Sequence, residues 1–329
     1  MRSDFGLGRP NRPNGYGIRL RAALCVIGAL WAALGCAVHA TDEIQVYNAG
    51  IAEEGQFTIQ QHLNYIPLGV KDPPFPGGLI SHNSINGTPE FAYGVTDWWE
   101  VGLYLPFSIK DQKFYSDSFK LRTLFVSPHA EQRDFFYGVH FEFSNETPPF
   151  AQTRFAMEIR PIVGVRNATY ELIVNPIVDI GFGKYGEADF APAARVARKF
   201  DTDLYAGFEY YADFGRIGDF KPLAEQQHTL FAVTDFKLGV FDVNFGVGYG
   251  LTSASDRSVV KTIIGYALPV PAPVRTILPL SGRLIRWHIL QCALSNHEQG
   301  RCKHGQAVMF CQRFSIARLN ALTARFRCS

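Results

Sequence analysis

Trp99-Glu100-Val101-Gly102-Leu103-Tyr104-Leu105 alternates large apolar residues with Glu, Gly and Tyr. Successive side chains of a β-strand point to opposite faces, so this stretch reads as a strand with one apolar face and one polar face. The same alternation continues on both sides of it from about residue 55 to 268. Twelve strands are expected, at about 55–65, 88–94, 98–108, 118–127, 135–145, 154–166, 170–182, 189–200, 203–213, 226–238, 241–250 and 258–268.

Most of these stretches hold about ten residues, the length a tilted strand needs to cross a hydrocarbon layer. Val95-Thr96-Asp97, Asn167-Ala168-Thr169, Asp201-Thr202 and Gly239-Val240 read as tight turns. Residues 66–87, 109–117, 146–153 and 212–225 read as longer loops, and 128–134 as a longer turn. In the 135–145 stretch Tyr137, Val139, Phe141 and Phe143 share one face, while Gly138, His140, Glu142 and Ser144 share the other. Leu172, Val174, Val178, Ile180 and Phe182 oppose Glu171, Asn175, Asp179 and Gly181 in the same way. A soluble β-sandwich or small soluble barrel is the competing reading. Strands of sandwich proteins are shorter, and these carry repeated charges in mid-strand, as a wet lumen would. Aromatic residues such as Trp98, Trp99, Tyr104, Phe107, Phe182 and Tyr249 also gather near strand ends, where amphipathic rings favour the headgroup level. The expectation is an all-β, antiparallel transmembrane β-barrel of about 12 strands, because only closure pairs every backbone group of a strand in lipid.

Ahead of the alternation lies one apolar run, Ala22 to Val38, behind Arg9, Arg12, Arg19 and Arg21. That is the layout of a secretory signal peptide, and Val38-His39-Ala40 offers small residues where a signal peptidase reads. Cleavage after Ala40 is expected. An uncleaved anchor and a lipoprotein signal at Cys36 are the alternatives. The expected domains are a signal peptide over 1–40, a barrel over 41–268 and a basic, cysteine-containing, irregular tail over 269–329.

Charge is segregated among these parts. Of 32 Lys+Arg and 30 Asp+Glu, residues 1–40 hold five Arg and one acid, and 269–329 hold nine bases and one acid. The barrel region keeps 18 bases and 28 acids, a net of −10, and so gives no support to nucleic-acid binding. All six cysteines lie outside 41–268, as suits a chain that crosses an oxidising compartment unfolded.

The polar faces supply the candidate lumen-facing residues. They are Glu90, Glu100, Lys120, Arg122, His140, Glu142, Glu158, Arg160, Arg166, Glu171, Asp179, Arg195, Glu209, Asp235, Lys237 and Lys261. Acids and bases nearly balance, so the lumen is expected either to be filled by ion pairs or to frame a narrow path. No catalytic residues, metal ligands or cofactors are expected. His140 and Ser144 share a face, but strand rise sets them about 13 Å apart, too far for proton transfer. His62 and His228 read as isolated. The tail cysteines lack Cys-x₂₋₄-Cys spacing for zinc.

Thr88-Pro-Glu-Phe-Ala-Tyr-Gly-Val-Thr-Asp-Trp-Trp-Glu-Val-Gly-Leu-Tyr-Leu-Pro-Phe107 resembles a hairpin of Gram-negative outer-membrane barrels grouped with proposed transporters of phenol and aromatic degradation. Asn175-Pro-Ile-Val-Asp179 and Phe245-Gly-Val-Gly-Tyr249 look like later strands of that group. The resemblance covers 41–268 and implies outer-membrane transport or a proteobacterial envelope protein of unknown role, with no catalytic residues to carry over. The expected partners are membrane lipid, the outer-membrane assembly machinery and a small, apolar or aromatic solute. A structural or surface-interaction barrel with a plugged lumen is the second reading, and a lipid-modifying enzyme the third. The tail departs from the group, whose barrels end on their last strand. Lys261 to Leu268 reads as that strand, and the 61 residues after it are expected to be a small extension or sequence not native to a barrel.

Overall fold

In the computed structural model, residues 43–269 are described, so the expected signal segment and all but the first residue of the tail lie outside the described residues. The strands are β1 (Phe57–Leu68), β2 (Ser84–Thr96), β3 (Trp99–Tyr104), β4 (Phe107–Lys110), β5 (Lys113–Ser116), β6 (Phe119–Val126), β7 (Phe135–Asn145) and β8 (Phe155–Arg166). They continue as β9 (Tyr170–Asn175), β10 (Val178–Gly181), β11 (Ala188–Phe190), β12 (Ala193–Asp201), β13 (Leu204–Asp213), β14 (Gln227–Leu238), β15 (Phe241–Gly250) and β16 (Ser258–Ala267). Each pairs antiparallel with its neighbours, and β1 pairs both β2 and β16, which closes the sheet on itself. The result is the expected barrel of twelve staves.

Three expected strands are interrupted, each by a proline. The 98–108 strand breaks at Leu105-Pro106 into β3 and β4, 170–182 breaks at Pro176 into β9 and β10, and 189–200 breaks at Pro192 into β11 and β12. Proline has no N–H for the ladder. Register runs unbroken through these gaps. Val163 faces Val174 and Ile159 faces Val178, so Pro161 falls opposite Pro176. Asn175 faces Ala193 and Val178 faces Phe190, so Pro176 falls opposite Pro192. Three adjacent staves thus carry prolines side by side, and pairing lapses between 160–162 and 175–177.

The connections alternate in length. Turns after β2, β8, β12 and β14 are tight, and Gly239 supplies the positive φ of 64° that the last of them needs. The turn before β7 holds one 3-10 turn, Ala130–Gln132. The loop expected over 66–87 is shorter, 69–83, because β1 and β2 extend further. The 109–117 loop is partly a hairpin, β4 and β5, that lengthens its stave. These two ends are called the turn end and the loop end below; the chain enters β1 and leaves β16 at the turn end.

Faces follow the alternation. Tyr137, Phe143, Leu172, Val174, Phe245 and Val247 are exposed on the outside, while His140, Glu142, Ser144, Glu171 and Asn175 are buried inside. Inward glycines make room for interior rings: a Cβ on Gly164 would lie 2.1 Å from Phe136, and one on Gly248 2.5 Å from Phe231.

Candidate functional site in the barrel interior

The interior is organised around a stretch that strand periodicity does not reveal. Residues 43–56, ahead of β1, run from the turn end into the barrel. Gly94 leaves space for this entry, since a Cβ there would sit 2.2 Å from the Glu53 carbonyl. Val46, Tyr47 and Ala49 are buried against the inward side chains Leu124, Phe136, Ile162 and Ile173. Ile44 packs on Ile66, Phe231 and Val259.

Polar bonds fix the segment from several staves. Asn175 acts as a strand partner: its Oδ1 accepts from Tyr47 N at 2.8 Å, and its Nδ2 donates to Tyr47 O at 3.1 Å. Three cations donate to three carbonyls. Lys261 Nζ reaches Ile44 O at 3.0 Å, Arg160 Nη1 reaches Gln45 O at 3.1 Å, and Arg166 Nη2 reaches Asn48 O at 3.0 Å. Glu100 Oε2 accepts from Ala52 N at 2.6 Å. The Tyr47 hydroxyl lies 2.6 Å from Glu43 Oε1 and 2.5 Å from the Tyr104 hydroxyl. Its ring stacks on His140 at 4.8 Å and under the Arg160 guanidinium at 4.5 Å. Removal from water, then the Glu43 carboxylate, push the Tyr47 phenol well above its ordinary pKa.

The inward charges are paired in separate groups. Arg122 bridges Glu90 and Glu100, and Glu90 also meets His62 at 3.1 Å. Arg160 grips Glu158 through two nitrogens at 2.7 and 2.8 Å, with His140 at 3.3 Å, and Lys120 pairs with Glu142 at 3.2 Å. Arg195 meets Glu171, Glu209 and Asp235; Arg166 meets Glu171; Lys261 meets Glu209 at 2.5 Å. An ion buried without a partner costs several kcal/mol, so this pairing is what lets so many charges occupy the interior.

All sixteen candidates lie on the inward face, with Glu158, Arg166, Asp179 and Asp235 only half-buried. Lys237 sits at the rim of that face: its side chain is 54% exposed, meets Asp242 at 3.3 Å and lines the turn-end cavity. Alternation gave its face but not its depth, and at a stave end the polar face opens to solvent. His62 and His228 correct the sequence reading, which took both as isolated. His62 bonds Glu90, and His228 bonds the Tyr210 hydroxyl at 2.6 Å and Gln226 at 3.0 Å. Partners on other staves depend on register, which alternation within one strand does not carry. Among the described residues, no group of three or more His, Cys, Asp or Glu is placed to hold a metal.

Two cavities lie on either side of the segment. One of about 330 Å³ at the turn end is lined by polar groups including Gln60, Arg195, Asp235, Lys237 and Asn244. One of about 140 Å³ toward the loop end is lined by Ile44, Ile66, Ile177, Phe231 and Val259, with acids among them. Gln45 lines both.

No protein-family model matches the chain, and no curated protein matches it. Solved structures similar to it include outer membrane channels and an autotransporter translocator domain. An outer membrane channel from Pseudomonas putida F1 is 10% identical, with a TM-score of 0.49, over 69% of this chain and 100% of that one. The translocator domain of an autotransporter from Neisseria meningitidis is 13% identical, with a TM-score of 0.39, over 76% and 97%. The outer membrane channel DcaP of Acinetobacter baumannii is 11% identical, with a TM-score of 0.32, over 65% and 96%.

Proposed function

We propose that this chain is an outer-membrane barrel that admits small solutes when the segment 43–52 shifts inside its lumen. The observation that carries the reading is the position of that segment: it parts a loop-end cavity from a turn-end cavity, and Gln45 borders both. The exterior fits a bilayer. Exposed Phe, Tyr, Leu and Val occupy the outward positions of nearly every stave, and backbone pairing closes the ring. Short turns at one end and longer loops at the other support a reading with the turn end toward the periplasm.

The loop-end cavity supports an apolar or aromatic solute, the class the sequence resemblance implies. Ile44, Ile66, Ile177, Phe231 and Val259 line it beside several carboxylates, and Arg160, Ile177 and Ala191 bring it next to the proline row. Where ladder bonds are missing, the wall needs least work to part. A plugged, structural barrel is the second reading, favoured by the paired charges and by the bonds that hold the segment. We assign no reaction to the interior, since His140 is engaged by Glu158 and Tyr47 and Ser144 by Glu142.

Uptake into proteoliposomes tests the reading. Vesicles carrying the refolded protein should admit a small neutral aromatic faster than a sugar of similar mass. Equal slow entry of both, matching empty vesicles, would favour the plugged structural barrel.

A further inference from the structure

The loop between β1 and β2, residues 69–83, does not stay above its own staves. Near its tip Leu79 N donates to Pro149 O at 3.1 Å. Pro149 belongs to the loop between β7 and β8, and the β4–β5 hairpin stands between these two loops on the rim. At its feet the loop leans the other way. Asp256, in the loop between β15 and β16, accepts on Oδ1 from Val70 N at 2.8 Å and from the Ser81 hydroxyl at 2.5 Å. Gly69 permits that approach, since a Cβ there would lie 2.7 Å from Asp256 Oδ1 and 2.8 Å from His82 N. His82 N donates to Val70 O at 3.2 Å and Gly69 N to His82 Nδ1 at 3.2 Å, which pinches the two feet together.

The two anchors stand on opposite walls of the loop-end cavity. Asp256 lines it beside Ile66 and Val259, and β8, which follows the Pro149 loop, lines it at Glu158 and Arg160. In the ring of staves β16 and β8 face each other across the lumen. A loop tied to both sides therefore crosses the mouth as a strap, and Asp256 belongs to cavity and strap together. Its holds are uneven. Among the described residues, 71–80 reach other elements through the Leu79 hydrogen bond, and the remaining ties gather at the feet, where Lys110 Nζ also donates to His82 O at 2.6 Å. The bonds to the Asp256 carboxylate are charge-assisted and about twice as strong as the neutral one at the tip. Between them the arm is stiff. Pro73, Pro74 and Pro76 fix their own φ angles, and Phe75 is buried with its ring against Gly78 of the same loop, so the arm can swing as one body.

We propose that residues 69–83 are a lid over the loop-end cavity, clasped shut by Asp256. Release of Val70 and Ser81 frees the feet, the Leu79 bond lets go, and the arm swings off the mouth. The lid rests on the reading that solute enters from the loop end, but entry into the cavity can be measured without passage through the barrel.

The test uses the full chain in outer membranes and N-ethylmaleimide as the probe. Thr229→Cys reports on the loop-end cavity and Thr58→Cys on the turn-end cavity, which those residues line. Labelling is read on the peptide that holds each position. Asp256→Ala should speed labelling at position 229 by about tenfold or more, the factor that loss of a charge-assisted hydrogen bond carries. Ser81→Ala, which removes one donor and leaves the cavity lining intact, should speed it several-fold. Labelling at position 58 should not change. Tryptic cleavage after exposed Lys71, on the arm, should rise in both variants relative to cleavage after exposed Lys184. Unchanged labelling at position 229 would overturn the lid, even if cleavage at Lys71 rises. An equal rise at positions 229 and 58 would also overturn it, since the barrel as a whole would then have loosened. If Asp256→Ala does not assemble, Ser81→Ala decides. Faster labelling at position 229 without faster uptake into proteoliposomes would count against the proposed transport and for the lid.

Discussion

Replacing Lys261 by Met separates what holds the segment from what holds the wall. Lys261 is fully buried on β16, and its ammonium serves three groups at once: Ile44 O at 3.0 Å, Glu209 at 2.5 Å and the Tyr211 hydroxyl at 3.3 Å. Methionine keeps the length of the side chain and loses every donor. Removing one member of a buried pair costs about 3–5 kcal/mol when the other is left alone. Glu209 is not left alone, because Arg195 at 2.7 Å and the Tyr211 hydroxyl at 2.7 Å remain. The expected loss of barrel stability therefore lies at or below the low end, about 2–3 kcal/mol. The segment loses a charge-assisted bond, about 1.5–3 kcal/mol. At about 1.4 kcal/mol per tenfold, that raises the ratio of open to closed lumens by roughly 10- to 150-fold. The assay is open probability in planar bilayers beside urea unfolding of the same preparation. A fall in stability with no rise in open probability would show that Lys261 braces the wall and not the segment.

Other outcomes follow from the same geometry. Phe141→Arg, on the outward face of β7, should destabilise the barrel by about 2–4 kcal/mol in lipid, whereas Glu142→Gln should cost less in the same unfolding titration; the reverse order would invert the faces. Tyr47→Phe should flatten the alkaline limb of stability: a phenol raised in the folded state contributes fully below its ordinary value of 10.0 and loses that contribution as pH climbs above it. Unfolding midpoints of both proteins from neutral pH upward check this, and parallel curves would exclude Tyr47 as a source of the loss. A chain ending at Leu268 should reach the outer membrane in at least the yield of the full chain, since Leu268 N already bonds Phe57 O at 2.8 Å to complete the closing pair; loss of assembly would make the tail part of the barrel.

The sequence carried the staves and their faces because side-chain direction along a strand has a period of two. Phe141 beside Glu142 is enough to orient β7. It carried depth less well, as Lys237 shows, because alternation is the same at mid-stave and at the rim. Residues 43–56 left no such mark. Their fit depends on Asn175, Lys261, Arg160 and Arg166, which lie more than 100 residues away in sequence and meet only after closure. The inward apolar residues Phe136, Ile162 and Ile173 were a usable hint, being large side chains on faces that otherwise read as polar. The proline row is similar. Each proline is visible alone, but their alignment is a property of register.

The most direct test of the account is the conductance of the barrel with and without its internal segment. A chain lacking residues 44–52, with Thr41 to Glu43 kept behind the leader, should fold into the same ring. In planar bilayers it should show a steady conductance where the intact protein is mostly closed with brief openings. Identical traces from the two proteins, in membranes where both are inserted and heat-modifiable on gels, would contradict the claim that this segment closes the lumen.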